Sequence, residues 1–468
     1  MVSLDSFVRM RAVVKAAAWC SLALCLAPRL AIAQSGDFSI PAGSGMPNYD
    51  RVSIGQREGL EANAFVARTD DAGANWYNPA GLALSEKSAL NASANAYEFN
   101  GVALVGLEFA KGGTRFSSIG SFFGGVVGTP IVHSRNLRLG FSFTKPVSWA
   151  PSQIEGEIRN ASPLGDESFL YSSSINMNTV VPALNAGLRL GTRLRVGAGV
   201  GYAQTSLHQN QSISDRLLSG ASATTLLRSL ETDGHVSGLL FTGGVQADLG
   251  PRLKIGALVT SPAVRLSGKS RVTYQNTTFS GAVSRDIAFR DGEAKYDYQI
   301  PLRATIGVAA GFGKAEIEVD LKYHGSRKAY PFFSSTVPAT LITTDAAGVP
   351  TVATLAFSDV VEETKSVTNI AVGGHYAFSP KFRVHAGFFT DNSPVANSGK
   401  SVFRAIDLVG ASGGVSFGAG HLTASAGVSG SSGTSDDRPV GPSLGGVQGI
   451  TRYKVKTFNI LYAISYAF

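Results

Sequence analysis

The sequence predicts an all-β protein, namely a transmembrane antiparallel β-barrel of about 14 strands with an N-terminal hatch (plug) segment inside the lumen. The first observation is composition: 54 of the 468 residues are glycine and only 16% are charged, which is unusual for a soluble globular chain. The second is a repeated two-residue alternation of apolar and polar side chains. The third is that no apolar stretch after residue 33 approaches the roughly 20 residues of a membrane helix, and a membrane chain without such helices must close its backbone pairing in a barrel.

Residues 1–33 have the pattern of a secretory signal peptide. Arg9, Arg11 and Lys15 form a basic start, an apolar run covers 16–27, and Ala-Ile-Ala at 31–33 is a small-residue cleavage site. The apolar run is too short for a retained membrane anchor. We therefore expect an exported chain that begins at residue 34.

Cysteine usage and charge exclude several classes of function. Both cysteines, Cys20 and Cys25, fall inside the predicted signal peptide, so we expect neither disulfides nor a thiolate metal site in the exported chain. The formal net charge of +8 is not gathered into a Lys/Arg face, so nucleic acid is not an expected partner. The seven histidines are scattered without metal-ligand spacing and without a nearby Gly-x-Ser-x-Gly motif, so we predict no cofactor, no metal and no enzyme activity.

The last eleven residues give the clearest strand. Large apolar side chains alternate with small or polar ones and end in an aromatic girdle, as in a lipid-facing barrel strand. The large side chains are Phe458, Ile460, Tyr462, Ile464, Tyr466 and Phe468. A soluble edge strand would have to cover the aromatic residues of this face, which argues against that alternative.

Similar alternation recurs upstream, and tight turns alternate strictly with long connections. At 315–323 four charged residues alternate with apolar ones, so the charges must face the lumen. Short turns on one side and long loops on the other are typical of an outer-membrane barrel, with both chain ends of the barrel on the periplasmic side. The strands are predicted at about 88–98, 116–128, 136–149, 170–190, 194–210, 236–249, 253–274, 294–311, 315–326, 364–378, 382–391, 403–417, 421–430 and 453–468.

Two long connections, 210–235 and 269–293, are predicted to be extracellular loops that form a capture groove. The first contains five leucines whose spacing is compatible with a short amphipathic helix. Those leucines are Leu217, Leu218, Leu226, Leu227 and Leu230.

Residues 34–87 precede the barrel, which is assigned to 88–468. A barrel of about fourteen strands is wide enough to need filling, and this is the one free segment of sufficient size, so we predict that it is the plug. Its stretch 63–84 has neither strand alternation nor a complete helical face. Taken alone, its Asn78-Pro79 could equally be a turn that opens a short helix.

Several of these segments resemble the long-chain fatty acid transporter family of Gram-negative outer membranes. The N-terminal stretch carries Asp70-Asp71-Ala72-Gly73, then an aromatic pair and Asn78-Pro79-Ala80. A second match runs from Val372-Gly373-Gly374-His375-Tyr376 through Arg383, Gly387 and Asp391 to Ser393-Pro394-Val395. The closing Tyr466-Ala467-Phe468 also matches and resembles the signature that outer-membrane assembly machinery reads.

The resemblance implies passive uptake of hydrophobic molecules, most simply long-chain fatty acids, across the outer membrane of a Gram-negative bacterium. It implies capture at extracellular loops, passage through a barrel pocket and lateral exit beside a kinked third strand. Aromatic hydrocarbons are the alternative ligand in the same fold. The expected surroundings are outer-membrane lipid and lipopolysaccharide, and a plugged barrel with a complete apolar girdle is expected to be a monomer.

The resemblance also assigns candidate residues. The hatch motif corresponds to Asn78, Pro79 and Ala80, and the third strand, 137–149, contains Pro146, which lacks a ladder donor and could open the wall. Alternatively, Pro146 simply ends that strand. Arg327, Lys328 and His208 lie where the family places basic residues for a ligand headgroup, but His208 departs from the basic pattern of the family.

Three other functions compete with uptake. An enzyme would need a nucleophile or carboxylate beside a histidine, and only His208 and His235 border the same loop. A general diffusion porin would need an open charged constriction instead of a plug. A structural or adhesion barrel that uses its long loops outside the cell is a third alternative.

Overall fold

The computed structural model describes residues 38–39, 47–85, 87–105, 111–112, 114–127, 136–149, 154–162, 164–396, 403–435, 438–439, 444 and 450–468. The predicted signal peptide, 1–33, lies outside the described residues. The described chain is almost entirely β-structure, as the composition and alternation predict.

The strands run in chain order as follows: β1 (Ala89–Val105), β2 (Lys111–Gly112), β3 (Thr114–Val127), β4 (Leu137–Trp149), β5 (Ile154–Ser162), β6 (Gly165–Leu190), β7 (Leu194–Ser219), β8 (Ser222–Asp248), β9 (Leu253–Thr260), β10 (Val264–Ser280), β11 (Val283–Tyr296), β12 (Arg303–Phe312), β13 (Ala315–His324), β14 (Arg327–Ser334), β15 (Ala339–Thr344), β16 (Pro350–Leu355), β17 (Val360–Thr364), β18 (Val367–Ser379), β19 (Phe382–Asp391), β20 (Ile406–Ala419), β21 (Leu422–Ser435), β22 (Arg438–Pro439) and β23 (Ile450–Ala467).

Antiparallel pairing closes these strands into a 14-stranded barrel. Four barrel strands each consist of two successive pieces, β9 with β10, β11 with β12, β13 with β14, and β17 with β18. The ring closes where β1 pairs with β23, from Ala89 opposite Ala467 to Val105 opposite Arg452. Closure pairs the first strand of the ring with the last, which is the condition for β-structure in lipid, and it confirms the predicted fold class.

The two faces of the wall differ as the alternation predicts. On β13, Val319 and Leu321 are each 43% exposed on the outside, whereas Glu318 and Asp320 are buried inside. Outward apolar side chains recur around the ring and form the band that faces lipid. Representatives from successive strands are Leu139, Phe143, Leu184, Val200, Phe241, Val259, Ile306, Val319, Ile370, Phe388, Val409, Val428, Phe458 and Ile464.

The two connections predicted as a capture groove of loops are β-hairpins instead. Strands β7 and β8 pair continuously up to Ser219 opposite Ser222, and β10 pairs with β11 up to Ser280 opposite Val283. The predicted amphipathic helix is therefore wrong. Its leucines follow a period of two, with Leu226 buried and Leu227 exposed, because each strand finds a hydrogen-bonding partner that a local pattern does not reveal.

The segment 47–85, called the N-terminal segment below, is compact and mostly buried. It contains a 3₁₀-helix at Glu58–Glu61, the short α-helix α1 at Ala74–Tyr77, and a 3₁₀-helix at Pro79–Leu84. None of the helices in the described part of the chain is long and apolar enough to cross a bilayer. The side chains and backbone of this segment contact strands all around the ring, so it lies within the lumen.

Candidate functional site

The Asn78-Pro79-Ala80 motif joins the N-terminal segment to the barrel wall. Asn78 caps the second 3₁₀-helix, because its Oδ1 accepts the Ala80 amide at 3.2 Å and proline follows at the first helical position. The Nδ2 group donates to the carbonyls of Val66 (2.9 Å), Val245 (3.0 Å) and Ala257 (3.3 Å). One side chain thus ties the segment to itself, to β8 and to β9.

Glycines in the wall make room for this motif. A Cβ atom on Gly244 would lie 2.1 Å from the Asn78 Oδ1, and one on Gly197 would lie 2.3 Å from the Ala80 nitrogen. Side chains at these positions would push the segment off the wall. Gly197 is therefore explained by close approach of the segment's backbone, and Gly244 by close approach of the Asn78 side chain.

Carboxylates on β13 bind the middle of the segment. Asp320 Oδ2 accepts the Phe65 amide at 2.9 Å, and Glu318 Oε1 accepts the Ala67 amide at 2.6 Å. Glu318 Oε2 also accepts from Arg68 Nε at 2.8 Å. The charged alternation of β13 therefore serves docking of the N-terminal segment.

Strand β4, the third strand of the barrel, is irregular at Pro146. Its pairing with β6 shifts register between Thr144 and Val147, and its pairing with β3 ends at Thr144 opposite Phe122. The strand itself continues to Trp149, so Pro146 does not end it. Among the described residues, the pairing of β4 with β3 therefore ends at Thr144, whereas its pairing with β6 continues to Trp149.

A contact that the sequence did not reveal joins the N-terminal segment to this part of β4. Arg51 Nη2 donates to the carbonyl oxygen of Ser148, and the Arg51 guanidinium lies 5.5 Å from the centre of the Trp149 ring. The contact lies just past the bulge at Pro146. No local motif predicts it, because 97 residues separate Arg51 from Ser148.

The lumen on the side of the long hairpins is apolar and rich in aromatic rings. One continuous buried cluster contains residues from β6, from the neighbouring strands β11 and β14, and from β23, which lie on different sides of the ring, so the cluster extends across the interior. Tyr296 stacks on Phe333 with ring centres 5.2 Å apart, and Phe332 meets Phe403 edge to face at 5.2 Å. Phe38 also joins this cluster, with its ring 5.3 Å from that of Phe289.

A cavity of about 230 Å³ lies where two neighbouring barrel strands are interrupted, at 261–263 and at 297–302. Its lining includes Val236, Ala263 and Ile300, together with Arg265 and the predicted headgroup residue Arg327. Arg327 Nη2 donates to the Ile300 carbonyl at 2.8 Å, whereas its Nε is buried without a hydrogen-bond partner among the described residues. This is an amphipathic cavity with a guanidinium at its edge.

The other two predicted headgroup residues are placed differently. Lys328 is exposed. His208 belongs to the outward set of β7, where it is 47% exposed and its Nδ1 lies 2.6 Å from Asp233 Oδ1. It therefore does not join the lumenal groups.

The sequence analysis did not single out Arg265, whose Nε lies 3.3 Å from Asp297 Oδ1. The nearby Pro262 and Pro301 could have indicated the two strand interruptions beside it, because proline disrupts a ladder.

The comparisons with known proteins concern the fold. No family model and no curated protein matches the chain. Among solved structures, a Pseudomonas aeruginosa FadL homologue aligns with a TM-score of 0.54 and 13% identity over 91% of this chain and 99% of its own. The Pseudomonas putida toluene transporter TodX aligns with a TM-score of 0.57 and 12% identity over 89% and 99%. The Ralstonia pickettii toluene transporter TbuX aligns with a TM-score of 0.54 and 13% identity over 90% and 99%. The chain therefore has the fold of the FadL and TodX-type channels, which is the fold that its motifs indicated.

Proposed function

We propose that this chain is an outer-membrane channel of a Gram-negative bacterium for passive uptake of hydrophobic small molecules. The observation that carries the proposal is the aromatic cluster that fills the lumen above the N-terminal segment. A diffusion porin has a polar, water-filled interior, so an apolar interior serves a different solute. The names of the structural neighbours, a FadL homologue and two toluene transporters, agree with this class of ligand.

The proposed route follows the geometry of the wall. The hydrophobic molecule is captured among the extracellular hairpins, enters the aromatic cluster, and leaves sideways where β4 loses its pairing with β3. Lateral exit delivers an apolar molecule into lipid, so it avoids an aqueous passage. The N-terminal segment acts as the plug and, through Arg51, contacts β4 beside the exit.

Long-chain fatty acids are the proposed ligands. Arg327 and Arg265 lie at the edge of this amphipathic cavity, and an arginine is the side chain best suited to a carboxylate, because its donors match both carboxylate oxygens. Aromatic hydrocarbons are the second candidate. The edge-to-face arrangement of Phe332 with Phe403 and with Phe333 favours them, because a small flat ring fits such surroundings.

The test is mass spectrometry of the hydrophobic molecules that copurify with the barrel in detergent, followed by binding of a labelled fatty acid. We expect a bound acyl chain, and we expect Arg327→Gln to weaken fatty acid binding about tenfold through loss of a charge-assisted hydrogen bond. Arg193→Gln is the matched control, since Arg193 is an exposed arginine at the turn between β6 and β7.

Each outcome decides between ligands. Fatty acid binding that is unaffected by Arg327→Gln, together with a copurifying aromatic compound, would replace the fatty acid by an aromatic hydrocarbon. Free ion conductance with no hydrophobic ligand bound would contradict the uptake function and favour a porin.

A further inference from the structure

Two histidines stand side by side on the inner face of the wall. His375 on β18 and His385 on β19 are direct register partners, and their ring centres are 5.6 Å apart. Residues directly opposite on antiparallel strands place their side chains on the same face, so both imidazoles point toward the N-terminal segment.

Glu61 of the N-terminal segment meets this pair. It is the last residue of the first 3₁₀-helix, and glycines on both histidine strands let its backbone approach the wall. A Cβ on Gly373 would lie 2.0 Å from the Glu61 carbonyl oxygen, and one on Gly387 would lie 2.5 Å from its carbonyl carbon. Ser412 also fixes the position, because its hydroxyl donates to the Leu60 carbonyl and accepts the amide of the residue after Glu61.

Three ligand atoms converge there. Glu61 Oε1 lies 2.6 Å from His385 Nδ1 and 3.3 Å from His375 Nδ1, and all three atoms lie within 4.8 Å of one another. Tetrahedral ligands of a Zn²⁺ ion, each about 2.0–2.2 Å from the metal, lie roughly 3.3 Å apart. We infer that Glu61, His375 and His385 form a binding site for one divalent transition-metal ion of the Zn²⁺ class, with a fourth position left for water.

Two of the three ligand side chains have hydrogen-bond partners that hold them in orientation, as metal ligands in proteins usually do. His385 Nε2 lies 2.8 Å from the Ser416 hydroxyl, so the ring is held with its Nδ1 toward Glu61. The other carboxylate oxygen of Glu61, Oε2, is held by Arg68 Nη2, which leaves Oε1 for the metal. Such outer partners fix the tautomer and orientation of ligating side chains.

The electrostatics of the surroundings favour an added cation. The network that contains Glu61 also includes Glu316 and Glu318, and these three carboxylates face two fixed cations, Arg68 and Lys254. Burial of these carboxylates is costly, and a cation bound at Glu61 lowers that cost.

Arg68 competes with the metal for His375 Nδ1, but its other contacts allow it to give up this one. Its Nη1 lies 3.4 Å from His375 Nδ1 and 3.9 Å from Glu316 Oε2, so this nitrogen can keep the Glu316 contact when His375 turns to the metal. Its Nε and Nη2 stay with Glu318 and the Ala64 carbonyl. His375 has 11% of its side chain exposed, which gives the ion a point of entry to an otherwise buried site.

The ligand set determines which metals the site prefers, and a bound metal would stabilise the docked N-terminal segment. Two imidazoles and one carboxylate suit zinc, nickel or copper more than calcium or magnesium, which prefer oxygen ligands. A bound ion would tie the N-terminal segment to β18 and β19, and its binding free energy would stabilise the docked state.

The experiment uses the whole protein, purified in detergent, stripped with a chelator and dialysed against Zn²⁺, with the bound metal measured by elemental analysis. We expect one Zn²⁺ ion per chain, with binding lost in Glu61→Gln and in His385→Asn. Ser416→Ala should retain the site but weaken it about tenfold or more. Substitution by Co²⁺ should give the visible absorption of a tetrahedral centre, which surface binding does not produce.

His208→Asn is the matched control, because His208 also has a carboxylate partner, Asp233, but lies exposed on the outer face. Its zinc stoichiometry should equal that of the unmodified protein. The heat-dependent migration of each variant on SDS gels identifies chains that have not folded, and His375→Asn replaces any variant that fails this check. A folded protein that takes up no zinc, or that takes up the same amount in His208→Asn, Glu61→Gln and His375→Asn, overturns the inference.

Discussion

The side-chain amide of Asn78 holds together three parts of the molecule, since it donates to carbonyl oxygens of the N-terminal segment, β8 and β9. A buried carbonyl that loses its donor costs more than the hydrogen bond itself is worth. At the scale of single residues, attachment of the segment therefore depends on a few buried polar groups in a glycine-lined socket.

Replacement of Asn78 by alanine should loosen that attachment without unfolding the barrel. We expect the free energy that opposes opening of the N-terminal segment to fall by about 1–3 kcal/mol, because the hydrogen bonds of the Asn78 amide to the Val66, Val245 and Ala257 carbonyls are lost. Hydrogen exchange of the amides of residues 80–84 measures this directly. Asn392→Ala is the control, since Asn392 makes one similar bond, to the Thr368 carbonyl at 2.9 Å, at an exposed site. Equal protection of 80–84 in the two variants would contradict the role given to Asn78.

At the level of residues, local features could be read from the sequence, whereas contacts between distant residues could not. The Asn78 motif could be found because the capping role of Asn78 depends on the residues that directly follow it. The contacts of Glu61 with His375 and His385 could not, because more than 300 residues separate them in sequence and only the closed ring brings them together. Scattered histidines in a chain therefore do not exclude a histidine cluster in the fold.

At the scale of elements, β4 is the strand that departs most clearly from a regular ladder at a predicted position. Proline removes a ladder donor, and the register shift between Thr144 and Val147 is the expected result. The same logic explains the interruption at 261–263, which contains Pro262. The alternation of side chains predicted the parts of the strands next to the short turns. The extended hairpins were missed because they depend on pairing with a neighbouring strand, which a local sequence pattern does not reveal.

A covalent link between β3 and β4 beyond Thr144 should close the proposed exit. Ser121 is a bulge residue on the inner face, so the next outward positions beyond Phe122 and Thr144 are Gly120 and Lys145. Gly120→Cys with Lys145→Cys therefore places one thiol on each strand just past the last pair, where oxidation can join the two strands. We expect oxidation to reduce uptake of the hydrophobic ligand into vesicles by about tenfold or more, and reduction to restore it, because the lateral path is blocked.

The control pair lies within the existing ladder. Phe123→Cys with Phe143→Cys links residues that are already opposite each other on the outer face, so oxidation there should leave uptake unchanged. If both pairs form disulfides and neither changes uptake, the exit does not lie between β3 and β4.

At the scale of the whole molecule, the sequence predicted the ring better than its contents. Strict alternation of turns and hairpins determines an even number of strands, and fourteen of them close through β1 and β23. The lumen is filled in two layers, a polar one where carboxylates of β13 bind the N-terminal segment and an aromatic one beyond it. This division could not be predicted, because it depends on which inward residues of different strands lie at the same height.

The polar and the aromatic layer should contribute differently to the barrier against water and ions. A fourteen-stranded barrel is wide enough to conduct when empty, and the inner wall next to the N-terminal segment carries charged groups such as Glu316, Glu318 and Lys254. Deletion of residues 47–85 should therefore raise single-channel conductance in planar bilayers roughly tenfold or more, because it replaces a packed interior by a wet, charged one. The Asn78→Ala protein, which keeps the whole segment, is the control and should stay near the low conductance of the unmodified chain. A deletion variant that folds and remains closed would mean that the aromatic layer alone seals the barrel, and the N-terminal segment would then serve ligand release and not closure.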